Sequence, residues 1–145
     1  AVENQCFDVL KLLLDRGAYV DTMNNLGKTP LFIAVDKGYL KITELLLNKG
    51  ASTLIRGPLK STPLHKAASK GYQEIVSLLI ANKANINAQD IIGNTPLHNA
   101  IKAEHWEIAQ LLLDANADEN LKNRHGISPF KIAIEKTLKY NIPLK

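Results

Sequence analysis

The stretch Thr62-Pro63-Leu64-His65 decides the fold of this chain, because it recurs in recognisable form at a fixed interval. Each copy follows the previous one by 33 residues, and the other copies are Thr29-Pro30-Leu31-Phe32, Thr95-Pro96-Leu97-His98 and Ser128-Pro129-Phe130-Lys131. A constant period of this length indicates a linear stack of similar units, in which each unit contacts only its neighbours.

The composition is that of a globular domain with a buried core. The chain has 145 residues, of which 46% are apolar, and no apolar run approaches the roughly 20 residues of a membrane helix. Eighteen basic and fourteen acidic residues give a net charge of +4, but they are dispersed and only three are arginine. Nucleic-acid surfaces cluster basic side chains and favour arginine, so this charge indicates solubility. The single cysteine, Cys6, excludes an internal disulfide and favours an intracellular compartment.

One unit of the repeat predicts two short helices. Thr62 is a good N-cap, Pro63 suits the first helical position, and Gly71 can end the first helix in a left-handed conformation. Each predicted helix has about 8–10 residues, which is too short for stability alone, so stacking must stabilise the fold. The repeat provides columns of equivalent residues for this purpose: Val9, Ile42, Ile75 and Ile108; Leu12, Leu45, Leu78 and Leu111; Leu13, Leu46, Leu79 and Leu112; and the small residues Ala34, Ala67, Ala100 and Ala133.

In these residues the sequence resembles the ankyrin-repeat family. The 33-residue period, the Thr-Pro-Leu-His-x-Ala core, the glycine between helices and the pair Gly50-Ala51 after a second helix all match, over essentially the whole chain. The resemblance implies an all-α solenoid of stacked helix-turn-helix units with projecting β-turn fingers. It implies one domain, with a partial repeat at 1–22, full repeats at 23–55, 56–88 and 89–121, and a terminal, incomplete repeat at 122–145.

Both ends of the array predict incomplete units. Ala1-Val2 align with Ala34-Val35, so we expect the chain to start inside a first helix, as a fragment of a longer protein with further repeats upstream. Val9 would then lack a partner on its N-terminal side. The last repeat predicts a first helix from Ser128 to about Lys136, after which Pro143 disrupts a second helix.

Some positions depart from the family pattern. Lys60 stands where the other finger turns have glycine, Leu54-Ile55 replace polar residues, Lys83 and Asn116 replace the glycine after a second helix, and Glu104 replaces the one between helices. Because lysine disfavours positive φ, we expect the second finger to follow a different backbone path. It is either a tolerated irregularity or an apolar tip that contacts a partner.

The residues that could carry chemistry have structural interpretations. His65 and His98 lie in units whose helices are about 8–10 Å apart, too far to share a zinc ion with nitrogen ligands at about 2.0–2.1 Å. The resemblance implies that this histidine orders its turn by local hydrogen bonds. His105 and His125 are interpreted as solvated, and Trp106 either packs at a helix edge or binds a partner. No phosphate-binding or dinucleotide motif occurs, so we expect no catalytic, cofactor-binding or metal site.

The resemblance implies that another protein binds the concave face, which is made of finger tips and first helices. Six family contact positions per repeat carry over: Met23, Asn25, Leu26, Lys28, Asp36 and Lys37; Arg56, Pro58, Leu59, Ser61, Ser69 and Lys70; Gln89, Ile91, Ile92, Asn94, Lys102 and Ala103; and Lys122, Arg124, His125, Ile127, Glu135 and Lys136. Apolar tips beside a partly basic strip of lysines would suit a partner segment with hydrophobic anchors and acidic flanks. Ordinary solvated side chains are the alternative.

The sequence therefore predicts a non-catalytic protein–protein interaction module, which acts as an adaptor, scaffold or targeting segment. We expect a cytoplasmic or nuclear monomer. Its truncated N-terminal face is available for end-to-end contacts. Alternatives are a regulatory domain of a larger enzyme, a nucleic-acid binder, a secreted host-directed effector, and a substrate of an asparaginyl hydroxylase at Asn87 or Asn120. The partner's identity does not follow from the fold.

Overall fold

The computed structural model describes residues 2–140, and their side chains from residue 6 onward. This part of the chain forms eight α-helices and no strand: α1 (Val2–Asp15), α2 (Pro30–Lys37), α3 (Leu40–Asn48), α4 (Pro63–Lys70), α5 (Gln73–Ala81), α6 (Pro96–Lys102), α7 (Trp106–Asp114) and α8 (Pro129–Lys139). A single 3₁₀ turn at Pro58–Lys60 precedes α4.

The helices form two layers. The first helices α2, α4, α6 and α8 contact one another in chain order, and so do the second helices α1, α3, α5 and α7. Within each full repeat the first helix also packs against the second. The predicted all-α stack of helical pairs is therefore confirmed.

The Thr-Pro-Leu-x motif starts each first helix as the sequence predicts. The hydroxyl of Thr62 accepts a hydrogen bond from the backbone N–H of His65 at 3.3 Å, with Pro63 in the first turn. Equivalent caps form at Thr29, Thr95 and Ser128. The motif fixes the helix starts because its side chains satisfy backbone N–H groups that have no partner within the helix.

Helix ends adopt left-handed conformations whether or not glycine is present. Gly71 has a φ of 79° and ends α4 as expected. Lys83, Glu104 and Asn116 also have positive φ, at 63°, 63° and 70°. Such a conformation costs a non-glycine residue about 1–2 kcal/mol. Lys83 and Asn116 follow second helices and Glu104 follows a first helix, at the positions where other repeats have glycine.

The core is built from the predicted columns, with two corrections. Leu79 and its equivalents Leu46 and Leu112 are completely buried, but Leu13, which the sequence predicts in the same column, is 51% exposed in α1 at the end of the stack. The prediction for the neighbouring column is wrong in part, since Leu78 and Leu111 are only partly buried. The position of Val76 is buried instead. Thr43 occupies this position in α3 and Ala109 in α7, and both are buried as well.

The two ends differ in detail from the sequence expectation. Helix α1 is a single helix that runs through the position where Gly38 separates α2 from α3, because Gln5 stands there and no glycine starts a left-handed turn. Its residues Val9 and Leu12 are 57% and 51% exposed. Helix α8 is three residues longer than expected and ends at Lys139. The predicted effect of Pro143 lies outside the described residues.

Candidate partner-binding surface

Side-chain oxygens shape three of the finger turns. The Oδ1 atom of Asp90 accepts hydrogen bonds from the backbone N–H groups of Ile92 and Asn94 at 3.1 and 2.9 Å. Asn24 and Asn123 make the same pair of bonds in the first and fourth fingers. A glycine with positive φ completes each of these turns.

The second finger follows a different path, as expected, but for a different reason. Leu59 and Lys60 have φ values of 59° and 56° in the 3₁₀ turn, so Lys60 does adopt the left-handed conformation that we expected it to avoid. The turn is closed by a hydrogen bond from the Gly57 N–H to the Ser61 carbonyl at 2.7 Å. The guanidinium of Arg56 donates to the Lys60 carbonyl at 2.8 Å and holds the strained segment in place.

Fingers two, three and four are joined by backbone hydrogen bonds. The N–H of Ile91 donates to the carbonyl of Leu59 at 2.9 Å. One repeat further on, the N–H of Arg124 donates to the carbonyl of Ile92 at 3.0 Å. The three tips therefore form a continuous edge.

Side chains at the finger bases connect the same three fingers. Arg56 donates to the Gln89 carbonyl at 2.7 Å, and the Gln89 amide donates to the Lys122 carbonyl at 3.1 Å. Arg56 and Gln89 occupy the same position of the repeat. The guanidinium of Arg56 and the amide of Gln89 each donate to the backbone carbonyl at that same position in the following repeat.

The apolar residues at the tips are exposed. The exposed fractions are 68% for Leu26, 70% for Leu59, 39% for Ile91 and 42% for Ile92. Large apolar side chains on a connected backbone lose little conformational entropy on binding. Leu59, Ile91 and Ile92 lie on two of the three connected fingers, whereas Leu26 lies on the first finger.

Two of the four lysines in the predicted basic strip have acidic neighbours. The Nζ atom of Lys70 lies 2.8 Å from Asp36 Oδ1, and this contact lowers the pKa of Asp36 and raises the pKa of Lys70. Lys136 lies 4.0 Å from Glu104. Lys37 and Lys102 are exposed and form no ion pair with the described residues, so the strip carries less positive charge than the sequence suggests.

A groove of about 230 Å³ on the concave face is lined by residues of all three full repeats, most of them from the second. It brings together five predicted contact residues: Lys28, Pro58, Leu59, Ser61 and Ser69. It also contains residues that the sequence reasoning missed, chiefly Phe32 and Lys66, whose Nζ atom lies 5.9 Å from the centre of the Phe32 ring. Lys66 could have been found, because it follows the His position and precedes Ser69 by three residues on the same helix.

The other predicted contact positions are distributed along the array. Most of the 24 are exposed, but Lys28, Asp36, Ser61, Gln89, Ile127 and Lys136 are half-buried. Asn94 is buried, and its Oδ1 accepts a hydrogen bond from Asn123 at 2.9 Å. Asn94 therefore joins two repeats and does not face a partner.

His65 and His98 have the structural role that the resemblance implied. The backbone N–H of Thr62 donates to His65 Nδ1 at 3.2 Å, and His65 Nε2 donates to the Asn94 carbonyl of the next repeat at 2.7 Å. His98 makes the same contacts with Thr95 and Ile127. Burial lowers the pKa of both histidines.

The interpretation of His105 as solvated is wrong. Its ring is half-buried against Gly71, where an added Cβ would lie 2.8 Å from the ring, and Nε2 lies 3.2 Å from the Ser69 carbonyl. His125 is exposed, as expected. Trp106 is 47% exposed at the helix ends opposite the fingers.

The comparison with protein families agrees with this structure. A family model of ankyrin repeats, three copies long, matches residues 1–57 and 52–123, so the chain belongs to the ankyrin-repeat family. Ankyrin repeats are generally protein–protein interaction modules, and the fold is typically non-catalytic. No curated protein sequence matches the chain significantly.

Two further findings concern the described residues. None of the helices in residues 2–140 has both the length and the apolar character of a membrane span. The same part of the chain contains no group of three or more His, Cys, Asp or Glu side chains placed to hold a metal ion.

Proposed function

We propose that this chain is a non-catalytic module that binds a partner protein through its finger tips and the concave face of its first helices. The observation that carries this proposal is the row of exposed apolar tips, Leu26, Leu59, Ile91 and Ile92, on fingers of which three share a hydrogen-bonded backbone edge. Apolar anchors that are already held in place are typical of residues that dominate binding energy.

The module acts as an adaptor, scaffold or targeting segment of an intracellular, cytoplasmic protein. The same surface would serve a regulatory domain of a larger enzyme, which is the alternative use of this fold. An adaptor segment and a regulatory domain differ in the domains joined to the repeats and not in the chemistry of the binding surface.

A second candidate function, as the substrate of an asparaginyl hydroxylase, is favoured by Asn87. This residue is exposed in the turn after α5, and its side-chain oxygen accepts a hydrogen bond from the Asp118 N–H at 2.8 Å. Hydroxylation would be detected as the gain of one oxygen atom in the intact mass, and an unchanged mass after incubation with such an enzyme would exclude this function.

Comparative affinity purification tests the main proposal. The wild-type chain is compared with a Leu59→Ser, Ile91→Ser variant and with a control in which two other exposed leucines change, Leu113→Ser and Leu138→Ser. We expect partner proteins that the wild type and the control retain and the tip variant loses. If the same proteins bind all three chains, or none binds the wild type, the proposal is wrong.

A further inference from the structure

The junction between repeats 23–55 and 56–88 lacks three hydrogen bonds that the two later junctions have. At each later junction, a backbone N–H of one finger donates to the preceding finger. A side chain at the position of Gln89 donates to the following finger, and a histidine ring donates to a carbonyl of the next repeat. All three kinds of bond occur at both later junctions, so the pattern is systematic.

The sequence removes each donor at the first junction. Pro58 stands at the position of Ile91 and has no backbone N–H. Met23 stands at the position of Gln89 and Phe32 at that of His65, and neither side chain carries a hydrogen-bond donor. The first finger is consequently not joined to the second by these bonds. The repeats remain together through helix packing and the Lys70–Asp36 ion pair.

The groove on the concave face borders this junction, although most of its lining residues belong to repeat 56–88. Phe32 lies beneath it, since this residue is only 1% exposed and its ring packs closely on Gly57, where an added Cβ would lie 2.7 Å from the ring. Pro58 and Leu59 of the second finger and Lys28 of the first also line the groove. Two of the three residues that lack a donor, Pro58 and Phe32, therefore belong to the groove, and Met23 lies outside its lining.

A backbone acceptor occurs two residues before Lys28, which lines the groove. The carbonyl groups of Leu59 and Ile92 each accept the N–H of the next finger. The equivalent carbonyl of Leu26 accepts no backbone hydrogen bond among residues 2–140, because Pro58 has no N–H to donate. An extended peptide could donate its own N–H there, as in recognition by strand addition.

The charges around the groove favour an acidic ligand. Lys28 and Lys66 line it and form no ion pair with described residues, and Lys66 lies over the Phe32 ring. The one acidic lining residue, Asp90, has Oδ1 committed to two backbone N–H groups of its own finger. Asp90 keeps its negative charge, so the two lysines leave the lining with one positive charge in excess, beside the exposed Pro58 and Leu59.

We propose that the groove beside the second finger binds an extended, acidic segment of the partner protein. A bulky apolar side chain of this segment packs on the exposed Pro58 and Leu59, and flanking carboxylates lie beside Lys28 and Lys66. A backbone N–H of the segment donates to the Leu26 carbonyl. The inference rests on the proposed function and names the chemistry of the partner.

A peptide titration followed by NMR tests this inference on the full chain. The probe is a synthetic peptide with one phenylalanine between pairs of glutamates; the comparison peptides have alanine in place of the phenylalanine, or lysines in place of the glutamates. We expect saturable shifts at residues 26–28 and 57–61, and binding weaker by about tenfold or more for both comparison peptides.

Two variants with equal net charge provide the control. Lys28→Glu, Lys66→Glu should weaken binding of the acidic peptide by about tenfold or more, whereas Lys41→Glu, Lys83→Glu should change it much less, because those exposed lysines lie outside the groove and outside the predicted contact positions. Thermal unfolding checks that both variants fold. Equal effects, shifts centred on Ile91 and Arg124, or no saturable shift would overturn the inference.

The outcomes separate this inference from the proposed function. If the acidic peptide does not bind the groove but Leu59→Ser, Ile91→Ser still abolishes partner capture, only the groove chemistry is wrong. If partner capture is also insensitive to the tips, the proposed binding surface fails as well.

Discussion

The Nε2 atom of His65 lies 2.7 Å from the carbonyl oxygen of Asn94, so an imidazole in one repeat holds the finger of the next. Its Nδ1 accepts the Thr62 N–H, so the neutral ring carries its proton on Nε2. A second proton on Nδ1 would face a backbone donor in a buried site. The same arrangement at His98 makes the array sensitive to acid in two places.

We expect the free energy of unfolding to decrease as the pH falls below about 6.5, the ordinary pKa of histidine in an unfolded chain. Burial lowers the folded-state pKa of His65 and His98, so the unfolded chain binds protons that the folded chain does not. The stabilisation is present above the unfolded pKa and is lost as the pH falls towards the folded pKa. Urea unfolding at a series of pH values measures this decrease in the free energy of unfolding.

The control for this prediction is His125→Gln, since His125 is exposed. The pH dependence between neutral and mildly acidic conditions should become shallower in His65→Gln, His98→Gln and stay as in the wild type in His125→Gln. A wild-type chain whose stability is constant through this range would contradict the assignment.

Two adjacent leucines should differ in their effect on stability. Leu79 is fully buried and Leu78 only partly, although both belong to the repeat's apolar columns. Leu79→Ala should cost about 2–5 kcal/mol because it leaves a cavity, and Leu78→Ala clearly less. Urea midpoints of the two variants, with equal m-values, decide the matter; equal losses would show that the burial assignment is wrong.

Gly57 and Phe32 should be energetically coupled. Gly57 has a φ of −97°, which any residue can adopt, so the effect of Gly57→Ala comes from the ring that lies 2.7 Å from the added Cβ. We expect a cost of about 1–3 kcal/mol from this overlap. In a Phe32→Leu background the cost should be smaller, and a double-mutant cycle measures the difference. If the effects of Gly57→Ala and Phe32→Leu on the free energy of unfolding are additive, the Phe32 ring does not contact the added methyl group.

Hydrogen exchange should distinguish the joined fingers from the first one. The amides of Ile91 and Arg124 donate to the preceding finger, whereas the equivalent amide of Asn25 makes no such bond among the described residues. We expect slow exchange at the first two and fast exchange at Asn25, measured residue by residue by NMR. Similar protection at all three would contradict the assignment of the Asn25 amide as one that makes no such bond.

Helix positions could be predicted from the sequence because local residues determine them. Thr62 and Pro63 start a helix, and Gly71 ends one, through bonds and conformations within a few residues. The apolar spacing also placed Leu79 in the core correctly. These signals need no knowledge of the neighbouring repeat.

Contacts between repeats could not be predicted in the same way. His105 looked solvated because its own helix gives no sign that Gly71, one repeat away, leaves room for its ring. The loss of three donors at Met23, Phe32 and Pro58 has meaning only when their acceptors in the adjacent repeat are known. Lys60 was expected to avoid positive φ, yet its closed turn and Arg56 impose it.

Site-specific photo-crosslinking tests the central claim most directly. A photoreactive amino acid is placed at Leu59, an exposed finger tip, and in a second chain at Ser77, an exposed position on α5. In extracts of cells that contain the partner, the account predicts a discrete crosslinked protein from position 59 and not from position 77. A crosslink to that protein from position 77 with none from position 59 would show that the binding surface lies on the other layer of helices.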